Sequence, residues 1–494
     1  MKSPFAYISN LFKGANGGRR GSSGRGFDVT QSSRTRRALG LIAGLVAAAD
    51  YHLNKQTLGQ LRELCRMHDR RSALFSGLLD RAKDNIFGAN FNFIPNTGDS
   101  DLNKRAEDYI GKRMEKEYCD ASGVNGFDDL AKLGLRAVWN DGDFDWVKIN
   151  DGSVMAFEAD QIVTPDNYTP GSKKIITLGV EKDANNRHIA HHIKQRGKTG
   201  DYGYSSERLE TKRVPASHII CPAFRKRYNQ TRGLPFLAAA LGYFSRFNSY
   251  LDFESLAAEG NAMLGYKITK KTIENTNTNP KPGQVDNPKT ESTFDKLQKM
   301  EPFMIFELLE NEDIGMIGSE RPGDNFEPYV VTCCRIIGVA VGYPLELMML
   351  DFSRTNYSSA RASMGEARRS FRGWQKFCQE QLCLPWYRWQ MSRGIASGEL
   401  PANSEIFKAR CQWPAWEYID PMKAAKGDAI AISTGTKSRS ECIRQRGAEP
   451  AEVFQEIHDE NEKMVELGII LPPATLSVTT DESGEKEDSE KESK

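Results

Sequence analysis

The run LPFLAAALGYFSRFNSYLDFESLAAEGNAML, from Leu234 to Leu264, continues for about thirty residues with no proline beyond its start. As a helix it would extend roughly 45 Å at 1.5 Å per residue, so the rest of the chain must be arranged around it. Pro235 falls in the first turn, where a missing N–H costs nothing. A second apolar run, FEPYVVTCCRIIGVAVG at 326–342, predicts another helix. Between the two lie a short strand (GYKITK), a loop rich in Asn, Thr, Pro and Lys at 272–291, and a second strand region (MIFELLENEDIGMI). After them GYPLELMMLDFSRTNYS breaks the helical period and reads as a loop. From Ser359 a very long helix carries RASMGEARRSFRGWQKFCQEQLCLP onward.

The first half of the chain mixes periods. Helical patterning covers Leu39–Phe87, Leu102–Tyr118 and Asp128–Trp139. Residues 144–164 change to a two-residue rhythm, FDWVKIN and SVMAFEADQIVTP, around a turn at Asp151-Gly152, which predicts a hairpin. KKIITLGVEKD, the turn Asn185-Asn186 and RHIAHHIKQRG predict further strands, and VPASHIICPAF leads into the long helix. The expected fold class is α+β, predominantly helical, with an antiparallel sheet among helices. Residues 416–469 contain short capped helices, one opened by Pro450.

Both ends have compositions that bury no core. Residues 1–37 carry Lys2, Lys13, Arg19, Arg20, Arg25, Arg34, Arg36 and Arg37 against Asp28 alone. They are expected to be a mobile cationic tail, serving either to touch DNA, scaffold or an acidic partner or simply to solubilise. The residues after Pro473, ending DESGEKEDSEKESK, predict an acidic disordered tail.

A length of 494 residues suggests roughly three domains. The formal charge of +1 disfavours a protein that grips nucleic acid over its whole surface, leaving local patches for any such contact. Nine cysteines are scattered with no CxxC pair, which argues for reduced thiols and against a zinc ribbon or disulfide scaffold. The apolar stretch Ala38–Ala49 is about half the ~20 residues a membrane span requires, so it predicts a packing helix.

No catalytic set emerges. Gly197-Lys198-Thr199 lacks the glycine that a phosphate-binding loop places five positions before its GK; His192 stands there, and no apolar strand precedes it. His188, His191 and His192 have spacings for two metal ligands. No acidic or cysteine ligand lies nearby in sequence, and a strand would put His191 and His192 on opposite faces. A solvated basic hairpin is therefore expected there, with no metal and no cofactor. GxSxG does not occur, Cys333-Cys334 lies inside an apolar helix, and Asp351 and Asp420 lack an evident partner.

Three segments, in order, resemble the lambda family of tailed-phage portal proteins. RYNQTRGLPFLAAAL, residues 227–241, is similar to the family's Q-x-RG-x-P entry into a long helix. Gly338-Val339-Ala340-Val341-Gly342-Tyr343-Pro344, followed by Asp351-Phe352-Ser353 and Asn356-Tyr357-Ser358-Ser359-Ala360-Arg361, resembles its glycine–aromatic–proline step and its DFS and NYSSAR elements. WPAWEYIDPMKAAKGDAIAISTGTKSRSECIRQRGAEPAEVF, residues 413–454, resembles its W…DP-x-K block. Order and spacing hold over roughly 40–470, while the loop at 272–291 departs from the family.

The resemblance implies a ring, expected to be a dodecamer, of subunits with wing, stem, clip and crown regions. In chain order, 38–233 would be the wing, 234–264 and 326–342 the stem helices, and 265–325 the clip. Residues 343–357 would be the channel loop, 358–415 the long wing helix and its return, and 416–470 the crown. The channel loop would offer Ser353, Arg354, Asn356, Tyr357, Ser358 and Arg361 to DNA, with Arg354 and Arg361 alternatively pairing with Asp351 and Glu366 at subunit contacts. Lys267, Lys270 and Lys271 of the clip would face the packaging motor. Arg246, Asp252, Glu254 and Glu259 would bridge neighbouring stems. The implied partners are other copies of the chain, double-stranded DNA, the large terminase, the major capsid and scaffold proteins and a head–tail connector, without a membrane. Assembly in the host cytoplasm and a final place at the capsid's portal vertex follow from the same resemblance. Two readings of other classes compete: a nucleic-acid-processing enzyme of the packaging machinery, and a minor capsid or adaptor protein without a channel.

Overall fold

The computed structural model describes residues 49–89, 91–169, 174–194, 211–262, 266–270, 312–316, 325–353, 355–416 and 421–468, with the backbone alone at 51–52, 260–262, 266–270, 312–316, 357 and 452. Both predicted tails, most of the stretch Ala38–Ala49 and the loop 272–291 lie outside these residues. The chain divides into two units, Met1–Gln412 and Trp413–Lys494.

The first unit opens with α1 (Ala49–His52), α2 (Lys55–Arg71) and α3 (Ala73–Ile86). Asn54 caps α2 by accepting from the Thr57 N–H at 2.9 Å. Leu58, Leu61, Arg62, Cys65 and His68 recur at helical spacing and are all buried, so a charged residue sits on the inward stripe. β1 (Asn92–Pro95), α4 (Ser100–Met114), α5 (Lys116–Cys119) and α6 (Phe127–Asp141) follow. α6 ends at Gly142, whose φ of +92° favours glycine.

The expected hairpin forms: β2 (Phe144–Lys148) pairs antiparallel with β3 (Val154–Glu158). Its turn is held by Asp151, whose Oδ1 accepts from both the N–H and the hydroxyl of Ser153. β4 (Ile175–Thr177), β5 (Val180–Lys182), β6 (His188–Lys194) and β7 (Thr211–Pro215) make a four-stranded antiparallel sheet in sequence order. KKIITLGVEKD is two strands rather than one, because Leu178 and Gly179 both take positive φ and reverse the chain. β8 (Ile219–Ile220) adds to the free side of β2.

The run from Leu234 is also divided. Pro235 precedes a 3-10 turn, Phe236–Ala239, and the α-helix proper, α7, spans Leu241–Ala262. Its 22 residues extend about 33 Å. β9 (Tyr266–Lys270) pairs antiparallel with β10 (Glu312–Met316), and α8 (Phe326–Val341) returns along α7, with Tyr250 of α7 stacked on Phe326 at 5.9 Å. α9 (Leu345–Met349) is a single turn inside the segment read from sequence as a loop. α10 (Tyr357–Cys378) runs through a π-helical turn, Gln379–Cys383, into α11 (Leu384–Ser397). The wide turn lies just before Pro385, which lacks the N–H an α-helix would need there. β11 (Ala409–Gln412) closes the unit by pairing with β1 across more than three hundred residues.

Aromatic rings fill the core. Trp139 of α6 meets Phe236, Tyr343 and Trp374. Phe127 meets Trp386 at 4.3 Å, and Phe93 meets Trp386 and Tyr387. Among the described residues no helix is long and apolar enough to cross a membrane. The second unit contains α12 (Pro421–Ser433), α13 (Arg439–Gln445) and α14 (Pro450–Glu466), with Lys437 and Asp428 paired at 2.7 Å.

Candidate functional site: the helix pair, its loop and the arginine clamp behind it

The approach to α7 is fixed by a buried charge cluster. Arg232 has both Nε and Nη2 on the carboxylate of Asp143, at 2.7 and 2.6 Å, and donates to the carbonyls of Ile162, Leu178 and Ala159. Arg62, from the inward stripe of α2, adds Nη2 to the same carboxylate at 3.2 Å. The Gly233 N–H donates to Asp143 Oδ2 at 2.7 Å. Burial alone would raise the Asp143 pKa; Arg232, then Arg62 and the Gly233 N–H, bring it down to about 2. A side chain at Gly233 would place its Cβ 1.9 Å from the Gly142 carbonyl oxygen, so two backbones touch there. The R-G pair of the sequence motif thus ties the segments around Ala159, Ile162 and Leu178 to Asp143 and the approach to α7.

The glycine–aromatic–proline step ends α8 with equal economy. Gly342 has φ +77°, and the N–H groups of Gly342 and Tyr343 both reach the Gly338 carbonyl, at 2.7 and 3.0 Å. Any side chain at Gly338 would bring its Cβ 2.4 Å from the Tyr343 carbonyl oxygen. Tyr343 turns inward against Phe371 and Trp139, and Pro344 caps α9. The loop's outer part stays exposed: Met349, Leu350 and Phe352 are all open to solvent in the subunit.

The predicted loop residues sit at the end of this step. Ser353 is exposed, its N–H and hydroxyl donating to Asp351 Oδ1 at 3.0 and 2.6 Å. Asn356 is the N-cap of α10 and accepts from the Ser359 N–H at 2.8 Å. Ser358 and Arg361 are exposed on the first turns of α10. Tyr357 begins that helix, with only its backbone described, and Arg354 lies outside the described residues. Glu366 pairs with Arg369 at 2.8 Å within the helix. Of the lysines expected to form the clip face, Lys267 and Lys270 lie on β9 with backbone alone described, and Lys271 lies outside. Along α7, Arg246 lies over the Tyr243 ring, Asp252 and Glu259 are exposed, and Glu254 is buried. α7 and α8 keep apolar side chains in water: Phe253, Leu256, Ile336 and, at 85% exposure, Val339.

The histidine hairpin is a correction. His191 and His192 are buried rather than solvated, because β6 is an interior strand with β5 and β7 on either side. Strand alternation does send them to opposite faces. His191 Nδ1 meets Asp145 Oδ2 at 2.6 Å, while His192 lies near Glu181. Burial, then His191, Arg225 and Lys182, push the His188 pKa down to about 4. The Cys221 thiol is driven up by burial and by Asp145 and Asp143. Sequence reasoning missed this group and the Arg62–Asp143–Arg232 cluster alike. Arg232 was visible in its motif, but its partner lies 89 residues away.

Residues 42–375 match the model of the phage portal protein, lambda family. The chain belongs to the lambda family of phage portal proteins, which are structural components rather than enzymes. A probable portal protein of Halomonas phage phiHAP-1 is 23% identical over 386 residues, covering 76% of this chain and 73% of that protein. The portal protein of Escherichia phage N15 is 23% identical over 198 residues, and portal protein B of Escherichia phage lambda 21% over 196. Those two alignments span only 37% and 36% of the relatives' lengths. Among solved structures, a chain in the virion of a native gene transfer agent particle superposes with a TM-score of 0.44 at 13% identity, covering 79% of this chain and 94% of that one.

Proposed function

We propose that copies of this chain form a closed ring, a dodecamer at one capsid vertex, through which double-stranded DNA is packaged and later ejected. The observation that carries the reading is the match to the portal family over the stretch that contains α7, α8 and their connecting segment. The exposed side chains of those helices support it. Phe253, Leu256, Ile336 and Val339 leave apolar surface on a structured pair, which a neighbouring copy would cover. In this reading the wing is 38–233, the clip 265–325, the channel loop 343–357 and the crown 416–470. Lys267, Lys270 and Lys271 face the large terminase and afterwards the head–tail connector, while the capsid and scaffold proteins hold the rim.

A sliding duplex cannot be gripped by many cations at once, because each neutralised phosphate adds affinity. Ser353, Arg354, Asn356, Tyr357, Ser358 and Arg361 provide a small polar and cationic set, repeated by the ring, that touches the backbone without reading bases. ATP hydrolysis comes from the separate terminase. Replacing Val339 and Phe253 by Asp tests the assembly: the variant is expected to sediment as single folded subunits where the parent forms rings. Rings that persist in the variant would remove these helices from the interface and overturn the arrangement.

A further inference from the structure

β2, β6 and the residue following β8 bring together three groups that are distant in the chain: Asp145, His191 and Cys221. One ligand atom from each, a carboxylate oxygen, a ring nitrogen and the sulfur, lies within 4.8 Å of the other two. Asp145 is fully buried and His191 is 2% exposed, while Cys221 keeps partial exposure. The neighbouring carboxylate of Asp143 has two guanidinium partners, but no arginine or lysine donates to Asp145 among the described residues. Oδ1 of Asp145 is buried and meets no hydrogen bond of ordinary geometry there. The Cys221 thiol, a weak donor, is hydrogen-bonded to this carboxylate, and a divalent cation would balance the buried negative charge more fully.

We propose that Asp145, His191 and Cys221 bind one thiophilic divalent cation of the zinc class, with His188 as the residue that orients His191. A sulfur, a nitrogen and an oxygen donor suit such an ion; magnesium and calcium take oxygen ligands. Nδ1 of His191 now faces Asp145 at 2.6 Å. Ligands on a tetrahedral zinc lie roughly 3.3 Å apart, given bonds of about 2 Å, so the pair opens by less than an ångström. His191 Nδ1 then coordinates, and its Nε2–H donates to His188 Nδ1, which already stands 3.2 Å away. Cys221 binds as thiolate and releases its proton to solvent. Three protein ligands leave the fourth position of a tetrahedral ion open to a water. The sequence offered no acidic or cysteine ligand beside the histidines; the fold supplies both from other strands. The ion would tie the β3-β2-β8 sheet to the four-stranded sheet.

Cobalt substitution of the full-length protein tests this. One Co2+ per chain is expected, with the intense near-ultraviolet band of a thiolate ligand, displaced by Zn2+ and unaffected by Mg2+. Cys221→Ser abolishes the band, Cys442→Ser keeps it, and His188→Ala weakens Co2+ binding by ~10–100-fold. Absence of the band in the parent protein, or its persistence in Cys221→Ser, overturns the proposal. Should Cys221→Ser fail to fold, alkylation of the parent read by mass spectrometry decides instead. Zn2+ must protect Cys221 selectively, and a Cys221 labelled equally with and without Zn2+ overturns the site.

Discussion

Asp143 is the residue on which the subunit's charge balance turns. Removing its charge leaves Arg62 and Arg232 buried and mutually repelling; Arg62 is already depressed by burial and by Arg232. Asp143→Asn is therefore expected to lower unfolding free energy by ~3–5 kcal/mol, measured as a shift of the urea midpoint. Histidine burial sets a different dependence. His188 titrates near 4 in the fold against 6.5 when solvated, so on acidification the unfolded chain takes up its proton first. Stability must fall as pH drops from about 6.5 to 4. Metal-free His188→Gln should lose its share of that slope in urea titrations at pH 7 and 4.5, while His68 and His192, also lowered by burial, keep theirs. Neither group was legible in the sequence as what it is. Arg232 showed only as a letter in a motif, and His191 looked solvated, because burial of a charge depends on partners that the chain supplies from elsewhere.

At the scale of elements, periodicity read well where one face is buried along the whole length. α2, α6 and the β2–β3 hairpin lie where the pattern put them. It failed where a local backbone choice outweighs pattern. The 3-10 turn after Pro235, the reversal at Leu178-Gly179 and the single turn of α9 each depend on one or two dihedral angles. The residues of the proposed channel loop were legible only through the family resemblance, since exposed serines and asparagines carry no periodic signal. Asn356 illustrates the overlap of structure and function, for it caps α10 and is proposed to meet DNA. Asn356→Ala should cost about 1 kcal/mol of stability through the lost cap, whereas Asn356→Ser keeps a capping oxygen. Arg354→Ala with Asn356→Ser is thus expected to leave assembly and melting temperature unchanged but to lower DNA packaged per particle. Unchanged packaging would remove both from the channel set.

At the scale of the molecule, the subunit looks unfinished on its own. A buried clamp holds the root of α7, a glycine step closes α8, and between root and step the helix pair exposes Phe253, Leu256, Ile336 and Val339. A fold that invests rigid buried contacts in aiming two helices, then leaves their apolar side chains in water, is built to be completed by its copies. Electron microscopy of the purified full-length protein tests that claim most directly. Closed rings, twelve-fold by the family resemblance, around a central hole wide enough for a DNA duplex are expected. A particle solid along its axis, or a subunit that stays single at every concentration, would contradict it.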